Sequence, residues 1–147
     1  RLLPRKAEKD LADWLLAQGV DHVIGSHPHV LQPMEVKRDA HTPAKHLVVY
    51  SLGNFISNMS KENTDGGAMV RLELVKYSDI VQMRSCDYSL VWTSRPFLSG
   101  KKNYEVYPAG YVNKPIDNKE LMLMNRFLKN SRMLFEENNK GIKEYIF

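Results

Sequence analysis

Residues 23–36 read VIGSHPHVLQPMEV, and the fold turns on how this stretch is read. A short apolar run ends at Gly25, and two histidines, His27 and His29, then flank Pro28. Proline fixes its own φ and biases the residue before it towards extended geometry. In extended chain, residues i and i+2 project to the same side, and a rise of about 3.3 Å per residue sets their Cα atoms about 6–7 Å apart. Two imidazoles so placed can each reach one of two metal ions about 3.5–4 Å apart. Gly25 lets the backbone turn sharply at the strand end, and Ser26 can bond a neighbouring backbone group. The competing reading is a polar turn with two solvated histidines. Local chemistry alone leaves the two readings even. Position favours ligands, because α/β folds place their sites in loops at the carboxyl ends of strands.

Outward from this stretch, the sequence alternates helix and strand signals. Residues 4–18, PRKAEKDLADWLLAQ, read as a helix with Pro4 in its first turn and an apolar stripe of Leu11, Trp14 and Leu15. Gly19 is the stop, and residues 20–24 are a short strand. Residues 46–52, HLVVYSL, form the next strand, followed by the polar loop SLGNFISNMS. Residues 67–77, GAMVRLELVKY, alternate: Ala68, Val70, Leu72 and Leu74 share one face, while Met69, Arg71 and Glu73 share the other. A turn at Ser78-Asp79 leads to an antiparallel partner over 80–93, and 103–110 is a further strand. Pro115 breaks the chain, and Asp117 with Glu120 forms a capping box. The helix it opens runs from Asn118 to Glu137, with Leu121, Met124, Leu128 and Leu134 on its buried side. The methionines Met122, Met124 and Met133 are read as core filler. IKEYIF at the end is a tail or an edge strand. Together these signals predict an α/β (α+β) domain over 1–147 with a mixed sheet and antiparallel C-terminal strands.

Composition narrows the function. The chain has 147 residues, of which 43% are hydrophobic and 26% charged, enough to bury a core. A net charge of +4 with scattered Lys and Arg shows no basic helix, so no nucleic-acid partner is expected. The single cysteine, Cys86, cannot form an internal disulfide or a cysteine-rich zinc site. In a strand it reads as a small hydrophobe, not a nucleophile. His22 reads as an edge or core residue, and His41 and His46 as solvated. Trp92, Tyr88, Tyr104, Tyr107 and Tyr111 suit cross-strand core pairs better than a saccharide groove. Residues 57–67 suggest a flap near the site.

GVDHVIGSHPHVLQPMEV (19–36) and VVYSLGNFISN (48–58) resemble the C-terminal half of the CapA/PgsA family. That family is associated with capsule and poly-γ-glutamate biosynthesis, and its fold is similar to the calcineurin-like metallophosphoesterases. The resemblance covers residues 4–75 well. DGGAMVRLEL (65–74) and the VWT.RP pattern over 91–96 resemble a branch found in gut Bacteroidetes. The resemblance implies a β-sandwich flanked by helices, with a two-metal site holding Mn, Zn or Fe at the strand ends. His27 and His29 match the family's Gly-His-x-His ligands, with Ser26 inserted after Gly25, and would be both metal-binding and catalytic. Asn54 and Ser26 would be substrate-side pocket residues, although for Asn54 a plain turn-making role with Gly53 after strand 46–52 is slightly favoured. The family's D-x-H and G-N-H motifs are absent, and two histidines fall short of even a zinc ligand set. The chain therefore reads as a C-terminal fragment of a longer protein, its metal site completed by an N-terminal half and inactive alone. The implied substrate is an anionic capsule polymer or a phosphoester, with other capsule-synthesis proteins as partners, outside the cytoplasm at the cell envelope. The alternative is a non-catalytic module that binds or hands on the anionic polymer. Uncovered strand edges further predict self-association by strand pairing or exchange.

Overall fold

The computed structural model describes residues 1–111 and 116–146, so the break expected at Pro115 lies outside the described residues. The first sheet is built around the central strand β3 (Lys45–Leu52). The short β1 (Val23–Ile24) pairs with it in parallel and β2 (Leu31–Arg38) antiparallel, in the order β1-β3-β2. The second sheet is a long hairpin of β4 (Gly66–Tyr77) and β5 (Ile80–Ser94), extended by β6 (Glu105–Pro108). The short β7 (Lys143–Glu144) pairs with β5 in parallel. Helix α1 (Lys6–Ala17) precedes β1, the single turn α2 (Pro96–Ser99) follows β5, and α3 (Asn118–Asn138) packs against β2 and β5. This is the α+β architecture expected, with mixed sheets and flanking helices.

One hydrophobic core joins the two sheets and α3. Met34, Leu47 and Val49 of the first sheet meet Leu90 and Trp92 of the second, and α3 adds Met124, Phe127 and Phe135. Trp92 sits directly across the strand pair from Tyr107, their rings stacked 6.2 Å apart, so these aromatics are core.

β2 is a strand that the sequence did not announce, because Pro33 argues against one. Proline removes a ladder donor and is tolerated only at a sheet edge; here no Pro33 pair stands between Gln32↔Ser51 and Met34↔Val49 in the register with β3. β2 is such an edge, and the segment after α3 covers it. Val36 N donates to Lys140 O at 2.8 Å, Lys140 N to Met34 O at 3.0 Å, and Met34 N to the Asn139 side-chain oxygen at 2.8 Å.

The alternation expected in β4 holds from Ala68 to Glu73 and then fails. Between Glu73 and Leu74 the register shifts, with Arg84 as the extra residue on β5. A bulge re-aims the side chains beyond it, and Leu74 is 55% exposed instead of facing the core. Helix α1 also departs from expectation. Ala12 is its buried residue, whereas Leu11 and Trp14 are 56% and 58% exposed. The helix is opened by Glu8, which takes the Arg5 N–H at 2.6 Å.

α3 begins at the capping box, Asp117 accepting from Glu120 N at 2.8 Å. Met124 and Leu128 face the core, joined by Phe127 and Phe135. Leu121 is exposed, and of the three methionines only Met124 is core, Met122 and Met133 being exposed. The turn-by-turn drift of a 3.6-residue helix carries the buried face along 124, 127/128, 131 and 135.

Candidate functional site

The site lies where β1 ends beside β3. Gly25 continues the parallel ladder, its N–H bonding Val49 O and its carbonyl accepting from Leu52 N, both at 2.8 Å. A Cβ at Gly25 would lie 2.5 Å from Tyr50 O, so only glycine lets the strands approach this closely. The chain then turns. His29 N reaches back to Ser26 O at 3.5 Å, and His29 adopts a left-handed φ of 58°. The His-Pro-His segment is therefore a turn and not the extended run expected from its spacing. The turn still leaves the two imidazoles as neighbours, with ring centroids 6.4 Å apart and planes inclined at 46°.

Both histidines are exposed, but they are held differently. No described residue hydrogen-bonds the His27 ring. His29 Nδ1 is 2.9 Å from the side-chain oxygen of Asn54. The Asn54 side-chain nitrogen donates to His29 O at 3.1 Å and to Thr64 O at 2.8 Å. Asn54 follows Gly53, whose φ of 70° turns the chain sharply out of β3. Asn54 is buried, and its own N–H donates to Gly66 O at 3.0 Å. Ser26 is exposed, with its carbonyl closing the turn. Two hollows flank it. One, about 290 Å³, is walled by α1, His27 and Pro28; the other, about 470 Å³, by His29, Asn54, Phe55 and Ile56.

The two sides of this loop come from distant sequence. Gly53 bridges Gly67, the Thr93 hydroxyl donates to Phe55 O, and Arg95 Nη1 donates to Met59 O at 2.9 Å. Trp92 Nε1 donates to Asp65 at 2.9 Å. Residues 57–67, expected as a flap, are thus tied down at Met59 and Thr64, and Thr64–Gly67 are buried. Sequence reasoning did not assign these supporting contacts. The only signal was the resemblance of residues 65–74 and 91–96 to one family branch.

A metal fits the histidines in part. A histidine ligand characteristically bonds one ring nitrogen to a second group and offers the other to the ion. His29 has that arrangement through Asn54. Among the described residues, however, no group of three or more His, Cys, Asp or Glu is placed to hold an ion. Asp10 and Asp13 do not join the histidines; Asp13 pairs with Lys37 and Asp10 with Lys6.

The other candidates lie elsewhere. His46 is not solvated: its Nδ1 is 2.9 Å from Asp21 O, and its side chain is 14% exposed. His22 accepts from Leu47 N at 3.0 Å, so each histidine clasps the other's strand. Burial holds His22 below its ordinary pKa, against the opposing pull of Asp21. Cys86 is half-buried, and burial pushes its thiol pKa up, which suits a packing role. Among the described residues no helix is long and apolar enough to cross a membrane.

The model of the bacterial capsule synthesis protein family PGA_cap matches residues 1–59. The chain is 34% identical over 73 residues to the PGA biosynthesis protein CapA of Bacillus subtilis (strain 168), which is 50% of this chain and 18% of that protein. It is 32% identical over 71 residues to the capsule biosynthesis protein CapA of Bacillus anthracis, 48% of this chain and 16% of the relative. The matched stretch thus spans less than a fifth of either relative. No solved structure matches the chain. The likeness to the bacterial capsule synthesis family and its CapA relatives thus takes in the Gly25–His29 turn and the Ser51–Asn54 loop.

Proposed function

We propose that this chain supplies the histidine wall of a two-metal, phosphoesterase-like site in a CapA-like protein of the cell envelope. The observation that carries the reading is the pairing of His27 with a His29 whose Nδ1 is already engaged by Asn54. His27 and His29 would hold Mn, Zn or Fe ions, whose chemistry is to polarise a phosphoryl oxygen and lower the pKa of bound water. The remaining ligands would come from protein outside the described residues. The chain's own contribution is to hold two imidazoles at one strand end, over a rigid floor of β3 and the Asn54 loop. The substrate class is a phosphoester or an anionic capsule polymer, and other capsule-synthesis proteins are the expected partners.

A second reading, binding of the anionic polymer without turnover, is favoured because among the described residues no third His, Cys, Asp or Glu joins the pair. The test is a zinc or manganese titration of this chain, followed on the imidazole NMR signals. The expected result is a weak, selective response of His27 and His29 over exposed His41, lost in His27→Ala. Equal response of all three, or none, overturns the metal reading. In a parent carrying the remaining ligands, metal-dependent cleavage of a generic phosphodiester should disappear in His27→Ala and His29→Ala. Metal-free polymer binding that survives both changes supports the second reading instead. Turnover by this chain alone would show that it needs no further ligands.

A further inference from the structure

We infer that Asn54 is the positioning residue of His29: its side-chain amide fixes the ring in the Nδ1–H tautomer and clamps its backbone, leaving Nε2 as the free lone pair. The inference rests on the proposed metal site only for what Nε2 then meets; the tautomer itself stands on the geometry of this chain.

Hydrogen-bond chemistry settles which way the amide points. Asn54 Nδ2 lies 2.8 Å from Thr64 O and 3.1 Å from His29 O. Both partners are carbonyl oxygens, which only accept, so the atom facing them must be the nitrogen. Flipping the amide would set its oxygen against two acceptors. The oxygen therefore faces His29 Nδ1, at 2.9 Å. An amide oxygen only accepts, so Nδ1 carries the proton. A neutral imidazole has one proton, and Nε2 is left bare. No described residue hydrogen-bonds that nitrogen.

A left-handed φ is uncommon for a non-glycine residue and persists when its surroundings impose it. At His29, with φ 58°, the bond from Asn54 Nδ2 to His29 O supplies part of that constraint. One side chain thus grips both the ring and the carbonyl of a residue 25 positions earlier. Asn54 is itself fixed by its N–H to Gly66 O and by 93% burial. Its polar atoms are committed within the chain, so its role is to orient His29 and not to contact substrate. A residue that merely made the turn after β3 would need no side-chain reach of this kind.

The experiment is long-range imidazole ¹⁵N NMR on the metal-free chain, at a pH where the histidines are neutral. Wild-type His29 should show a single Nδ1–H tautomer, whereas exposed His41 should show a mixture. A wild-type His29 protonated at Nε2, or mixed like His41, overturns the inference whatever any variant does. Asn54→Asp keeps an acceptor towards Nδ1 and should retain the tautomer, though it should lose stability because its second oxygen replaces the donor to Thr64 O and His29 O; Asn54→Leu should release the tautomer to a mixture. If Asn54→Leu loses stability but keeps the tautomer, Asn54 is only structural and the inference fails. Because no metal is present, a failed metal titration leaves this result untouched, and a failed tautomer leaves the metal reading to its own test.

Discussion

Gly67→Ala is the substitution that most directly couples the fold to the site. A Cβ at Gly67 would lie 2.6 Å from Leu52 O and 2.7 Å from Asn54 O, well inside the 3.4 Å where ordinary contact begins. Both obstacles are backbone carbonyls, so no side chain can swing aside. Either β4 moves away from the Leu52–Asn54 loop or that loop moves. Overpacking of this kind costs about 1–3 kcal/mol, a large part of a stability of about 5–15 kcal/mol. With a urea slope of about 1–3 kcal/mol per molar, the midpoint should fall by about 1 M. Stability alone does not isolate the cause. Gly100→Ala meets nothing within 4 Å, yet its φ of 69° carries a left-handed strain, which also costs about 1–3 kcal/mol. The discriminating readout is His29. Gly67→Ala pushes on Asn54 O, so the His29 imidazole signals should move, while Gly100→Ala should leave them in place. An unchanged urea midpoint for Gly67→Ala would refute the steric reasoning. A lower midpoint with unmoved His29 signals would refute the coupling.

The histidine clasp gives a pH dependence. His22 Nδ1 accepts from Leu47 N, and His22 is held below its ordinary pKa of 6.5 by burial, with His46 adding to the fall and Asp21 opposing it. The groups facing the pair are Asp21, His46 and, 3.7 Å from His46 Nε2, Asp39. Below 6.5 the unfolded chain binds the His22 proton that the folded chain resists. Its contribution is thus complete above that value and is lost as pH falls towards the lowered folded pKa. Urea melts across this range should show the loss, and His22→Gln should remove part of it; an identical profile in the variant would exclude His22 as the source. Self-association is the remaining expectation. Among the described residues, the outer edge of β4 has no strand partner beyond the Gly67 bridge, and Met69, Leu74 and Tyr77 are exposed along it. Antiparallel pairing centred on Leu72 would set Arg71 against Glu73 of a second copy. Light scattering should show association that rises with concentration and weakens in Leu74→Lys, a charge on the edge. A clean monomer at high concentration would count against it.

What could be read from the sequence follows the range of the forces involved. The capping box at Asp117 and Glu120 closes within one turn, and the period of β4 is a property of one strand up to Glu73. Both were legible. β2 was not, because Pro33 reads as a strand breaker, and the groups that hold the strand from outside, Asn139 and Lys140 on Met34 and Val36, lie far along the chain. The histidine pair was legible as a pair but not in its geometry. Spacing and Pro28 argue for extended chain, whereas the observed turn depends on Asn54, which is held in its turn by Gly66. Residues 65–67 read as the end of a flap and the start of a strand, and 92–95 as a strand's end, with nothing to tie either to the histidines. In the fold they form the underside of the Asn54 loop: Asp65 takes the Trp92 indole N–H, and Thr93 bonds Phe55 O. A motif search finds the exposed imidazoles, because those residues stand together in sequence. The supporting groups are scattered over forty positions, and only the closed fold brings them under the same loop. Substitutions in 65–67 and 92–95 should therefore disturb His29 more than their distance along the chain suggests. This gives residues beyond the matched 1–59 a physical stake in the site.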